Sequence, residues 1–188
     1  AVSAPSASIR ACAAAPAKAR SVGSTAAAYP VHLGGLREVQ YRSDMPCVFC
    51  AIIAGEAPAI RIYEDGGYLA ILDIRPFTRG HTLVLPKRHT VDLTDTPPEA
   101  LADMVAIGQR IARAARATKL ADATHIAIND GRAAFQTVFH VHLHVLPPRN
   151  GDKLSVAKGM MLRRDPDREA TGRILREALA QQDAAAQD

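Results

Sequence analysis

Hydrophobic and polar positions along the chain take on a regular pattern only from about residue 45 onward. Arg61 to Glu64 and Tyr68 to Leu72 are two short β-rich stretches around Asp65-Gly66-Gly67, a sequence suited to a hairpin turn. His81 to Leu85 is a third such run, closed by Pro86. Thr96-Pro97-Pro98-Glu99 then combines a capping hydroxyl, prolines in the first helical turn and an acid three residues after the cap. The helix opened there places Leu101, Met104, Val105, Gly108, Ile111, Ala112 and Ala115 on one stripe. Arg110, Arg113 and Arg116 fall largely off it. Thr124 to Ile128 and Val138 to Leu146 read as a fourth and a fifth strand, and Asp165-Pro166 starts a second, more polar helix reaching about Ala180. Strands in hairpins with one long helix inserted predict an α+β domain on a five-stranded antiparallel sheet.

Residues 1–44 differ in kind. Up to Ala28 the segment is dominated by Ala and Ser and carries no acid; the first acidic residue is Glu38. Its apolar positions repeat with no helical or strand period. The reading adopted is a disordered or non-native N-terminal extension, Met45 being the first methionine and standing directly before the regular pattern. An organelle transit peptide has a similar composition. The expected organisation is thus 1–44 as extension, 45–152 as the folded domain and 153–188 as a C-terminal helical tail.

Composition narrows the classes further. Of the 188 residues 48% are hydrophobic but only 4% aromatic, so the core must rest on Ala, Val, Ile and Leu. No apolar run approaches the roughly 18 residues that cross a bilayer, which argues against a membrane partner. The net charge of +4 is partly owed to the N-terminal segment. Its basic residues are spaced and have no aromatics between them, which argues against nucleic acid. Three cysteines make no disulfide framework, and Cys47-x-x-Cys50 points to metal or redox chemistry in a reducing, cytoplasmic setting.

The chemistry concentrates in Phe139-His140-Val141-His142-Leu143-His144-Val145. On a strand, Phe139, Val141, Leu143 and Val145 face one side as a core stripe, and His140, His142 and His144 face the other, about 6–7 Å apart. Imidazoles at i and i+2 can share a catalytic zinc with an open position. Alternatively the middle imidazole is a nucleophile and its neighbours orient it and bind charge. Asn129, Gln136 and Thr137 favour the second chemistry, because two amides and a hydroxyl at the mouth of the histidine strand suit phosphate oxygens.

The stretch Gln136-Thr137-Val138-Phe139-His140-Val141-His142-Leu143-His144-Val145 resembles the motif of the histidine triad family of nucleotide hydrolases and transferases. The resemblance runs over about Met45 to Gly151. It includes the block from Cys47 to Glu56, the stretch Leu72-Asp73-Ile74-Arg75-Pro76, and the block Gly80 to His89. It implies that His142 attacks the α-phosphorus of a nucleotide and carries a nucleotidyl-histidine intermediate. It further implies that His144 holds the phosphate and helps protonate the leaving group. Asp73 would accept bonds from the ribose hydroxyls, Asn129, Gln136 and Thr137 would serve the phosphate, and Val48, Phe49, Ile52 and Ile74 would wall the base. On the residues alone, Asp73 also fits a strand-end cap and Phe49 a core residue. Phe135 stands where many family members have Gly, which puts one backbone contact to phosphate in doubt and alters how large a leaving group fits.

In the zinc-bearing branch of the family, the resemblance implies a structural zinc held by Cys47, Cys50, His89 and His140, with no metal needed for the chemistry. Buried free thiols or a redox pair are the other readings of Cys47 and Cys50, and Cys12 is assigned no role. The implied ligand is a purine nucleotide such as AMP, and the implied assembly is a homodimer. The implied activity is hydrolysis of adenosine phosphoramidates or dinucleoside polyphosphates. The competing reading is a non-catalytic purine nucleotide-binding protein.

Overall fold

The computed structural model describes residues 47–150 and 165–186. The expectations for residues 1–44, Cys12 and the stretch 151–164 lie outside them. Among the described residues the elements run α1 (Val48–Ala54), β1 (Arg61–Glu64), β2 (Tyr68–Leu72), β3 (Thr82–Pro86), α2 (Pro98–Ala117), β4 (His125–Ile128), β5 (Leu143–Leu146) and α3 (Arg168–Ala185). A 3-10 turn at Arg132–Ala134 lies between β4 and β5.

The strands form one antiparallel sheet in the order β1-β2-β3-β5-β4, so the expected α+β fold on five strands is present. The β1–β2 hairpin closes because Asp65 Oδ1 accepts from Gly67 N at 2.8 Å and Tyr68 N at 2.7 Å. An irregularity between Arg61 and Tyr63 shifts the register of β1 against β2. Alternation sorts the sheet into two faces. Ala70, Leu72, Val84, Leu143 and Val145 pack under α2 and α3, with Met104, Ile107, Ile111, Leu175 and Leu179. Leu69, Ile71, Leu83 and Leu85 face the other way, against Phe49 and Ile52 of α1.

Two glycines set how closely the helices approach the sheet. A Cβ at Gly108 of α2 would stand 3.1 Å from Leu143 Cδ2. One at Gly172 of α3 would stand 2.6 Å from Ile60 Cγ2. The second helix of the sequence pattern extends to Ala185 and sends Leu175, Ala178 and Leu179 into the main core.

Four readings of the pattern need correction. First, β5 begins at Leu143, not Val138. Upstream of Leu143 the chain has no ladder partner: β4 ends opposite it at Ile128, Pro86 has no N–H, and Val141 N donates instead to Thr90 O at 2.7 Å. Second, Phe139 stays outside the core, half-buried with the Arg132 guanidinium over its ring. Third, Thr96 does not cap α2. Its hydroxyl bonds Asp92 O at 2.6 Å and Thr90 Oγ1 at 2.9 Å, and Pro97 takes the cap position with no side-chain bond. Fourth, Val105 is 47% exposed, and Ile107 and Ala114 take up the buried stripe instead. The helix α1 was not foreseen. It is only seven residues long and is stopped by Gly55 at φ 81°, too short for periodicity to identify.

Candidate functional site

The face of the sheet that α1 leaves uncovered carries the histidines. Although Val138–His142 is not a strand, its side chains still alternate. Val141, Leu143 and Val145 enter the helix-side core, and His140, His142 and His144 turn to the opposite side. There the His142 and His144 rings lie 4.8 Å apart, centroid to centroid. Phe49 from α1 stands edge-on to His140 at 5.9 Å and to His142 at 5.1 Å. Phe49 is thus a buried core residue and a wall of the site at once.

Hydrogen bonds to groups of fixed role define the tautomers. A carbonyl oxygen only accepts, so His142 Nδ1, 2.8 Å from His140 O, carries the proton. Its Nε2 is left with a free lone pair. Burial pushes the His142 pKa down, against smaller upward pulls from that carbonyl and from Asp73, so the ring is held toward neutrality. His140 Nε2, 2.9 Å from Pro86 O, is likewise the protonated nitrogen, and the Nδ1 lone pair faces Cys47 and Cys50.

A second chain of bonds reaches His144. Phe77 N–H donates to His81 Nδ1 at 3.3 Å, which leaves the proton of neutral His81 on Nε2. That Nε2 donates to His144 Nδ1 at 2.9 Å. His144 must then carry its proton on Nε2, a buried atom with no partner among the described residues. Burial pushes His81 down to about 4 and His144 down to about 3, so both are neutral near pH 7. Asp73 lies 3.4 Å from His81 Nδ1 and accepts from Arg75 N at 2.7 Å. His81 is the residue that sequence reasoning missed. The signal was present: a titratable side chain leading directly into the all-buried strand β3.

The remaining candidates divide. The Gln136 side chain is engaged with the main chain: Nε2 donates to Val91 O at 2.7 Å and Val138 O at 3.2 Å, and Oε1 accepts from Gly131 N at 2.8 Å. Asn129 is half-buried and Thr137 exposed. Ile52 is buried beside Phe49, and Val48 and Ile74 are exposed. Phe135 is 74% exposed, and its φ of 65° is the left-handed conformation that favours glycine.

Cys47, Cys50, His89 and His140 form a second cluster, their ligand atoms all within 4.8 Å of one another. Cys50 Sγ is 3.2 Å from His89 Nδ1 and 3.6 Å from His140 Nδ1, and Cys47 Sγ is 3.5 Å from His140 Nδ1. A tetrahedral zinc, with bonds of about 2.3 Å to sulfur and 2.0–2.1 Å to nitrogen, separates its ligands by roughly 3.3–3.8 Å. The donor set and spacing therefore fit a closed structural zinc site. The Pro86 carbonyl on His140 Nε2 supplies the outer hydrogen bond such a ligand needs. Burial and the adjacent Cys47 push the Cys50 thiol up to about 11. A zinc ion there would bind both sulfurs as thiolates, displacing the thiol protons.

The model of the HIT domain matches residues 54–151 of this chain. The chain belongs to the HIT family. Among curated proteins, it is 39% identical over 114 residues to "Adenylylsulfatase HINT3" of Arabidopsis thaliana, covering 61% of this chain and 58% of that one. It thus spans well under two thirds of that relative. It is 36% identical over 137 residues to "Adenosine 5'-monophosphoramidase HNT1" of Saccharomyces cerevisiae, covering 73% of this chain and 83% of that one. Among solved structures, it resembles a zinc-bound histidine triad family protein from Mycobacterium smegmatis at 73% identity and a TM-score of 0.69. That match covers 74% of this chain and 96% of the other. The HIT match therefore spans the sheet, α2 and the histidine face. Among the described residues no helix of this HIT protein is long and apolar enough to cross a membrane.

Proposed function

We propose that this HIT protein hydrolyses adenosine nucleotide conjugates at the α-phosphorus through a nucleotidyl-histidine intermediate. The observation that carries the reading is the His142 tautomer: Nδ1–H is committed to His140 O at 2.8 Å, so Nε2 presents its lone pair. His142 Nε2 forms a bond to phosphorus as the bond to the leaving group breaks. His144 Nε2–H, a donor with no other partner among the described residues, hydrogen-bonds the departing atom, which takes its proton from solvent water. Water then attacks the phosphorus, the P–N bond breaks to return neutral His142, and the proton lost by that water passes to solvent, with His144 Nε2–H still bonded to the phosphate side. Asp73 takes the ribose hydroxyls. Asn129 and Thr137 serve the phosphate oxygens, and Gln136 joins them through the loop it ties down. Val48, Phe49, Ile52 and Ile74 wall a purine such as that of AMP.

The names of the two curated relatives, a monophosphoramidase and an adenylylsulfatase, support AMP conjugates as the substrate class. Phosphoramidates and dinucleoside polyphosphates are the two arms to compare. Zinc at Cys47, Cys50, His89 and His140 would supply no reacting group; it would lock His140, whose carbonyl orients His142. A homodimer through the β4 edge fits Ile126, 42% exposed on that strand, and Val105, 47% exposed on α2. The thiol pair suits a reducing, cytoplasmic compartment.

The test is turnover of adenosine 5'-phosphoramidate and of a diadenosine polyphosphate, with acid-quenched mass spectrometry of the protein. The expected result is turnover and a protein mass increased by one AMP moiety. A His142→Ala variant with full turnover on both substrates would overturn the mechanism. Micromolar AMP binding without turnover or adduct would leave a nucleotide-binding protein instead.

A further inference from the structure

Beside the histidine face lies a cleft of about 390 Å³ between α1, β2 and the start of α3. Its volume falls within the ~300–1,000 Å³ typical of small-molecule sites. It adjoins the site along the chain: Ile74, which directly follows Asp73, lines it, and so does Ile52, which packs with Phe49. Its walls from α1 through β2 and Ile74 are aliphatic, as apolar Ile, Leu, Pro and Ala side chains. Among the described lining residues the hydrogen-bonding side chains are Arg168 and Glu169, both from the first turn of α3. Aliphatic walls hold a flat ring by area but do not distinguish one base edge from another.

Arg168 is held there by design of the chain around it. Asp167 Oδ1 caps α3 by accepting from Ala170 N at 2.9 Å. Asp165 accepts from the Thr171 hydroxyl at 3.0 Å and from Gly80 N at 3.3 Å, tying the helix start to the segment that carries His81 into β3. Gly172, one turn after Arg168, lets α3 lie against Ile60. Within that frame Arg168 Nη2 donates to Leu72 O at 3.3 Å. Its Nε is buried and has no partner among the described residues. A guanidinium N–H out of water and without an acceptor is costly, and an acceptor arriving in the cleft relieves that cost.

We propose that Arg168, with Glu169 beside it, is the base-reading element of this protein, selecting a purine whose edge presents a hydrogen-bond acceptor next to a donor. The guanidinium meets the ring-nitrogen or carbonyl acceptor, and the carboxylate meets the adjacent N–H. The inference rests on the nucleotide reading above and adds to it a specificity determinant outside the HIT match, which ends at residue 151.

The experiment is calorimetric binding of AMP and of ribose 5-phosphate to the full chain and to Arg168→Ala and Arg168→Gln. In the unaltered protein AMP binds more tightly than ribose 5-phosphate, the difference being the contribution of the base. Both variants are expected to lose about ten- to a hundredfold in AMP affinity, the scale of a charge-assisted hydrogen bond, with ribose 5-phosphate binding unchanged. Unchanged AMP affinity in both variants overturns the inference. So does an equal loss for both ligands, which would mark a structural role for the α3 start. If the unaltered protein binds neither ligand, the nucleotide reading itself fails. If it binds both alike, nucleotide phosphate is bound and base reading is refuted.

Discussion

The Nδ1 of His142 lies 2.8 Å from the carbonyl oxygen of His140, so one histidine of the triad sets the proton of the next. His140 is in turn held through Nε2 by Pro86 O at 2.9 Å and faces the two cysteines with Nδ1. The Cys/His cluster and the proposed nucleophile His142 are therefore joined through a single residue, His140, with its ring in one and its carbonyl in the other.

Replacing the proposed nucleophile, His142, should abolish chemistry and leave the fold. His142→Ala is expected to lower turnover by at least about a thousandfold, the scale of losing a catalytic nucleophile. AMP binding, measured by calorimetry, should persist. Turnover within tenfold of the unaltered protein would contradict the assignment.

Metal removal should act on structure before chemistry. Cys50→Ser is expected to lose stoichiometric zinc by elemental analysis and to lower the thermal midpoint. Because the His140 carbonyl orients His142, kcat should fall more than KM changes. A chelator that stopped turnover at once, with the thermal midpoint unmoved, would favour a catalytic metal instead.

Acid should destabilise the fold through buried neutral imidazoles. Burial holds His81 at about 4, with Asp73 raising it only in part, and burial beside His142 and His81 holds His144 at about 3. Unfolded histidine titrates near about 6.5. Between those values the unfolded chain binds the extra protons, so stability falls as pH drops from about 6.5 toward 4. The slope approaches about 1.4 kcal/mol per pH unit for each histidine, and above about pH 7 the effect vanishes. Denaturant midpoints across this range check it, and His81→Gln should give a shallower slope.

The two close-packed glycines should respond differently to alanine. At Gly172 the new methyl meets Ile60 Cγ2 at 2.6 Å, so α3 must move, at a cost of about 1–3 kcal/mol. At Gly108 the nearest atom is Leu143 Cδ2 at 3.1 Å, which yields by a small shift, and helix propensity gains about 1 kcal/mol. Thermal melts should therefore rank Gly172→Ala well below Gly108→Ala, and equal midpoints would contradict the packing.

Relief of backbone strain should be measurable at Phe135. Its side chain is 74% exposed and its φ is 65°. Phe135→Gly removes an αL cost of about 1–2 kcal/mol and adds a smaller entropic one. The expected net gain is about 0.5–1 kcal/mol by chemical denaturation. A loss of stability would mean that the ring makes contacts of its own.

The local pattern already carried the strands, both long helices and the separation of His140, His142 and His144 from Val141, Leu143 and Val145. Period-two alternation is a property of extended backbone, so it survived even where β5 lost its ladder. The family resemblance carried the grouping of Cys47 and Cys50 with His89 and His140. Periodicity failed for α1, which is too short to show a period, and for Thr96, whose hydroxyl found the Thr90 turn in place of the helix end.

Other features exist only once distant segments meet. The protons of His142 and His144 are assigned by a carbonyl and by His81, the latter 63 positions away in the chain. Gln136 looked free and is consumed by the backbone around it. Arg168 reaches the cleft because Gly172 lets α3 lie against Ile60. Side-chain type and spacing are local and can be read along a line, whereas protonation, hydrogen-bond saturation and burial depend on what each atom touches, and those contacts are made in three dimensions.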